Sequence, residues 1–217
     1  GGGVPLGFME TDLSDAFNCD PHAEMAFADC NTNGVSDACE IPLPGNPWWG
    51  VEHFAADVDL GMRQVRWTPH PDASPPHWEV CTTPATDFQI DPLSGTEVLM
   101  DEDDSVLWPL GFSFPFEGQS YNDMFVGSNG YVTFGTAETG YSHLPQNHFQ
   151  SVGIAAMRTD LDPTAGGMVT VATGPLGSIA ITWLNVPMYS GSASSAGDQV
   201  SMQMLLHQDG VIETTWP

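Results

Sequence analysis

The sequence predicts an all-β protein, an antiparallel β-sandwich of jelly-roll or Ig-like type behind a short cysteine-rich segment. Three observations predict it. Short apolar-alternating runs recur from residue 51 onward, parted by turn triplets such as Ser128-Asn129-Gly130, Ala165-Gly166-Gly167 and Gln208-Asp209-Gly210. The 23 glycines and 18 prolines punctuate the 217 residues too often for long helices. Hydrophobic residues at 41% and aromatics at 10% demand a packed core despite a formal net charge of -25.

Residues 1–10, GGGVPLGFME, place Val4, Leu6 and Phe8 at period two behind a glycine leader, which reads as an extended strand. Residues 11–45 form the cysteine-rich segment, where PHAEMAFA predicts one or two helical turns leading into DCNTNGVSDACEI. That stretch fits a calcium loop at each constrained position. Asp29, Asn31, Asn33 and Asp37 supply side-chain oxygens, Val35 its carbonyl, Gly34 the sharp turn and Glu40 the closing bidentate ligand, so Ca2+ is the expected cofactor. Pro42 and Pro44 forbid the exiting helix of a complete EF-hand. IPLPGNPWWG then reads as a stiff connector whose Trp48 and Trp49 pack on the β-rich part of the chain.

Residues 46–217 are expected to form the sandwich. Its strand runs are VEHFAADVDL, RQVRWTP, HWEVCTT, TDFQID, TEVLM, SVLWPLGFSFPF, DMFVGS, GYVTFG, VGIAAM, GMVTVAT, SIAITWLNV, VSMQMLLHQ and VIETTW. The alternation in SMQMLLHQ predicts one wet face and one dry one. Residues 189–198 read as a small-residue surface loop.

Charge excludes several partners. Arg63, Arg66 and Arg158 are the only cations against 28 acids. No basic footprint for nucleic acid can be assembled, and the absence of lysine rules out a Walker-type phosphate loop and Schiff-base chemistry. Cys19, Cys30, Cys39 and Cys81 form an even set without a C-x-x-C pair, which favours disulfides formed outside the cytoplasm. Cys30 and Cys39 occupy loop positions that point away from the ion, so a bridge between them is plausible and leaves Cys19 with Cys81; the spacing alone does not choose among the three connectivities. No secretory signal or initiating Met is present, which suggests a processed or partial form, and no apolar run approaches the length of a membrane helix.

Two acidic groups invite a second cation: Asp101, Asp103 and Asp104 in the run DEDD, and Asp160 with Asp162 in DLDP. The bland alternatives are a solvated turn for the first and a turn whose carboxylates bond the backbone for the second. A glycosidase would need two carboxylates flanking an aromatic-lined cleft, for which Asp160, an acid of 101–104, Trp108 and Trp183 are the candidates. The seven histidines are scattered without zinc spacing, and no G-x-S-x-G, H-E-x-x-H or catalytic-cysteine signature is present. No N-x-[ST] sequon occurs, while Ser190–Ser195 offers hydroxyls for O-linked sugar.

Two resemblances add to this reading. DCNTNGVSDACEI resembles the calcium repeats of dockerin and thrombospondin type 3 proteins, which implies a structural calcium staple. Over residues 95–216, the phrases at Phe112 to Tyr121, Ser128 to Gly135 and Asp160 to Val169 resemble, in order, those of nidogen-like β-rich modules of bacterial surface proteins. That resemblance implies an extracellular, non-catalytic module. Its pattern continues with a strand after DGVIE, so either a strand is missing beside the last one or something else fills its place. The expected function is a secreted, calcium-stabilised subunit of a filament or surface assembly, joined to identical subunits head-to-tail by donation of Val4, Leu6 and Phe8. A carbohydrate- or protein-binding adhesion module and a glycoside hydrolase are the alternatives.

Overall fold

The computed structural model describes residues 60–72, 77–142, 151–189 and 199–217. The strand Val4–Phe8, the calcium loop, Cys19, Cys30 and Cys39 all lie outside the described residues. Among the described residues eleven strands occur in order: β1 Arg63–His70, β2 His77–Pro84, β3 Thr96–Glu97, β4 Ser105–Phe116, β5 Gln119–Gly127, β6 Tyr131–Thr133, β7 Gly153–Ala155, β8 Met168–Gly174, β9 Ser178–Pro187, β10 Gln199–His207 and β11 Ile212–Trp216. They form two antiparallel sheets, a large one ordered β2-β1-β11-β10-β9-β8-β3 and a small one ordered β4-β5-β6-β7.

Period-two alternation places the core. Val65, Ile212, Trp216, Met202, Met204, Leu206, Ile179, Ile181, Trp183, Val169 and Val171 of the large sheet pack on Leu110, Phe114, Phe116, Met124, Val126 and Val132 of the small one. Phe114, Phe116, Tyr121 and Phe134 stack with ring centroids 4.8–6.1 Å apart, which fills one end. Trp183 is wholly buried and donates its indole N–H to the Gly127 carbonyl across the interface at 3.0 Å.

β4 crosses the strand ends of the large sheet. Around Trp108–Gly111 it shares a groove with Val171–Thr173 and Ile179, whereas Pro115 abuts Gly210 of the β10–β11 turn and Phe116 meets Trp78 of β2. The six steps from Leu110 to Phe116 span about 20 Å, close to the four strand spacings between β8 and β1. A three-residue register shift between Pro109 and Phe114, with Gly111 at φ +81°, lets β4 make this crossing.

The structure corrects three sequence expectations. First, β11 is not an edge: β10 lies on one side and β1 on the other, in the register Arg63↔Trp216 to Trp67↔Ile212. The place beside the last strand is therefore filled by β1. Second, TDFQID is not a strand. It runs as a strap behind the large sheet, and the backbone N–H and C=O of Ile90 bond the side-chain amide of the fully buried Gln203 (3.1 and 2.8 Å). Third, the expected wet face of β10 is dry around Gln203 and Leu205, because that strap and the small residues Ala172 and Ala180 close over it. TEVLM also contributes only two paired residues, Thr96 and Glu97.

Behind the same sheet, Glu213 is buried and accepts from Arg66 Nη1, from Gln89 Nε2 at 2.8 Å and from His207 Nε2 at 3.3 Å. Burial alone would push its carboxyl up, but the bonds from His207 and Gln89 and the charges of His207 and Arg66 hold it below the ordinary value. Arg66 faces Glu213 in the ladder, so this pair sets the register of β1 against β11.

Candidate functional site

Two surfaces qualify as sites. The first is acidic and is organised by the turn Ser128-Asn129-Gly130, where both polar side chains are wholly buried. Asn129 donates to Asp103 Oδ1 at 2.9 Å and accepts from the Leu161 N–H at 2.8 Å, so one amide joins the DEDD turn to the DLDP segment. Ser128 exchanges bonds with Asp104, its N–H reaching the Asp104 carbonyl at 3.0 Å and its Oγ accepting from the Asp104 N–H at 3.1 Å. Gly130 is required here: its φ is +81°, and a Cβ would lie 2.0 Å from the Met157 carbonyl oxygen.

The expected second-cation residues divide into two groups. Asp104 turns back to accept from the Asp101 N–H at 3.2 Å and the Ser105 N–H at 2.7 Å, closing its own turn. Asp162 caps the adjoining single turn by accepting from the N–H groups of Thr164 (2.9 Å) and Ala165 (3.2 Å), the backbone-bonding turn read from Asp-Leu-Asp-Pro. Asp103 and Asp160 remain, joined by Glu102. Desolvation, then Asp103 and Asp162, push the Asp160 carboxyl up; desolvation, then Asp162, Asp103 and Asp160, do the same to Glu102. Asp160 Oδ1 is buried without a hydrogen-bond partner. Among the described residues, no three His, Cys, Asp or Glu side chains converge closely enough to hold a metal ion. The arrangement is one of mutual repulsion across an exposed face.

The nearest cation is already engaged. Arg158 lies 4.3 Å over the Tyr131 ring, 3.4 Å from Glu138, and donates to the carbonyls of Ser142 (3.0 Å) and Gly140 (3.3 Å), holding residues 138–142 against β6. Arg66 is committed to Glu213. Both guanidinium groups hold backbone and carboxylates of the fold.

The second surface is a groove of ≈ 440 Å³ between β4 and the β3–β8 side of the large sheet. Trp108, Pro109, Leu110 and Gly111 form one wall, Ser94, Gly95 and Thr96 the rim, and Val171, Ala172, Thr173 and Ile179 the other wall. No charged residue lines it. Of the tryptophans weighed for a glycosidase cleft, Trp108 borders this groove and Trp183 is core; the acids lie elsewhere, on the exposed face. A cavity lined this way offers apolar contact and backbone bonding, with no acid or base for proton transfer. Asn129, which joins the acidic segments, and Gln203 and Glu213, behind the large sheet, read in sequence as ordinary turn or strand residues, and only the burial of their polar side chains picks them out.

Cys81, on the back of β2, is disulfide-bonded. Among the described residues no helix is long and apolar enough to cross a membrane. No curated protein and no solved structure gives a significant match to the chain. One family model, described as NIDO related, matches residues 80–216, from β2 through β11 and both candidate surfaces. With more than half of its length matched over the whole of the small sheet and most of the large one, the chain belongs to the NIDO-related family.

Proposed function

We propose that this protein is a secreted, non-enzymatic structural module that assembles with identical copies outside the cell, each copy giving the apolar segment Val4–Phe8 to its neighbour. One observation carries the reading: a groove between β4 and β8, bordered by Trp108, Leu110, Val171 and Ile179, carries no charged residue in a chain of net charge -25. An extended uncharged segment is a ligand such a groove favours over an acidic one. Membership of a nidogen-related family and the disulfide at Cys81 support an extracellular setting.

Calcium belongs to the same reading. Asp29, Asn31, Asn33, Val35, Asp37 and Glu40 would hold one ion and order the segment that carries the donor strand. The test is removal of residues 1–10 followed by light scattering of the purified chain in calcium. Loss of high-mass species is expected; filaments of undiminished length would overturn strand donation. Adhesion is the second reading, because Trp108 borders the groove and an aromatic ring can stack on a sugar. Oligosaccharide binding by a chain that stays monomeric would favour it.

A further inference from the structure

We infer that the turn end of the β1–β2 hairpin binds a divalent transition-metal ion, with His70, His77 and Glu79 as its protein ligands and zinc as the ion that their chemistry suits. The inference is independent of strand donation and of both surfaces described above. In sequence the two histidines are parted by PDASPP and match no zinc spacing. The hairpin removes that separation. β1 and β2 pair in the register Thr68↔Glu79, Pro69↔Trp78 and His70↔His77, so the two histidines close the ladder as direct opposites.

Period two decides which of these residues share a face. Trp67, Trp78 and Val80 pack on the core, so the positions that alternate with them, His70 on β1 and His77 and Glu79 on β2, belong to the back of the large sheet. Directly opposite residues have Cβ atoms about 4.5–5.5 Å apart, and diagonal ones about 7–8 Å, within reach of long side chains. The diagonal is already closed: His70 Nε2 lies 3.0 Å from Glu79 Oε2. Two ligands bonded at about 2.0–2.1 Å to one tetrahedral ion lie about 3.3–3.4 Å from each other, so an ion can take the place of the proton between His70 and Glu79 with little movement. His77 enters by register: its backbone is placed in β2, and its imidazole lies outside the described side chains.

Exposure and charge favour an ion here. The side chains of His70 and Glu79 are 40% and 34% exposed, so an ion reaches them from water and water can complete its coordination. A chain with 28 acids attracts divalent cations generally, but carboxylates alone suit hard ions such as calcium, whereas imidazole beside carboxylate suits zinc. The same face offers a comparison in the His207–Glu213 pair, in contact at 3.3 Å. There the carboxylate is buried and already bonded by Arg66 and Gln89, so a guanidinium stands where a metal ion would. At the hairpin end the register brings a second histidine instead.

The position gives the ion a task. Among the described strands β2 is outermost in the large sheet, and His77 is its first residue, four positions before the disulfide-bonded Cys81. An ion shared by β1 and β2 fastens that edge at its turn end.

The test is calorimetric titration of the full chain with Zn2+, in excess calcium so that hard oxygen sites are filled, beside His70→Asn, His77→Asn, Glu79→Gln and, as a control, His143→Asn. The unchanged chain should bind one Zn2+ at this site. Each of the first three substitutions should weaken that binding by roughly 10–100-fold or more, since loss of a direct ligand costs at least as much as loss of its outer-shell support. His143→Asn should bind as the unchanged chain does. Melts without zinc establish that each variant folds, and added zinc should raise Tm for the unchanged chain and His143→Asn alone. Co2+ supplies a second readout: the intense visible absorption of a tetrahedral ion is expected from the unchanged chain and should vanish in His77→Asn. Equal zinc affinity in any of the first three variants, loss of binding in His143→Asn, or no zinc binding by the unchanged chain would overturn the site.

Discussion

Replacing Glu213 by Gln removes a charge while keeping nearly the same shape, and the contacts of that carboxylate fix the size of the effect. It is bonded by Arg66, Gln89 and His207, and its side chain is only 7% exposed. A hydrogen bond to a charged partner contributes about 1.5–3 kcal/mol. Arg66 is 45% exposed, so water screens its share of the attraction, and the His207 contact is long. Glu213→Gln should therefore cost about 2 kcal/mol at neutral pH, near the middle of that range. For a domain of this size the loss lowers Tm by about 4–8 °C.

The pH dependence has a definite sign. The folded-state carboxyl is held below its ordinary value, so its contribution is fully present above the unfolded value and disappears as pH falls through the folded one. Thermal melts of both proteins from pH 3 to pH 8 should show a gap at neutral pH that closes on acidification below about pH 5. An equal gap at pH 3 and pH 7 would show that shape, not charge, accounts for the loss. No gap at any pH would mean that Arg66 and Glu213 do not fasten β1 to β11.

Three further outcomes are expected. Asp160→Asn should raise Tm by about 1–3 °C, because Asp160 is pushed up by desolvation and by Asp103 and Asp162; stability of the unchanged chain should likewise rise as pH falls through that folded value, and a lower Tm for the variant would refute the repulsion. Gly130→Ala should cost about 3 kcal/mol or more, since the turn needs φ +81° and a Cβ would strike the Met157 carbonyl; chemical denaturation measures it, and a loss under about 1 kcal/mol would show that the turn relaxes. Chelation of calcium, or Glu40→Gln, should increase protease cleavage within residues 11–41, whereas an unchanged digestion pattern would remove calcium from the account.

Most strands were legible because their faces differ. SVLWPLGFSFPF coincides with β4, and Leu110, Phe114 and Phe116 point inward as their spacing predicts. TDFQID misled because alternation reports faces and not partners: a side-chain amide from Gln203 replaced the ladder that would have made it a strand. The adjacency of β1 and β11 has no local signature, since Arg66 and Glu213 are 147 residues apart. At the acidic face, the Asp162 turn was readable from Asp-Leu-Asp-Pro, while the meeting of Asp103 with Asp160 depends on Asn129, which looks in sequence like any turn residue. The groove was illegible for the same reason: its walls come from separate segments of the chain.

The pairing of Arg63 with Trp216 has a mechanical consequence. It brings the start of β1 and the end of β11 to the same end of one antiparallel ladder, about 5 Å apart. Tension applied between those two points would load the hydrogen bonds one pair at a time, starting at Arg63 and Trp216, and would peel β1 from β11 as a zipper opens. Tension entering along β8 and leaving through β1 would instead load many bonds of the large sheet side by side, as a lap joint is sheared. The large sheet is thus weak to a pull between the start of β1 and the end of β11 and strong to a pull across its width.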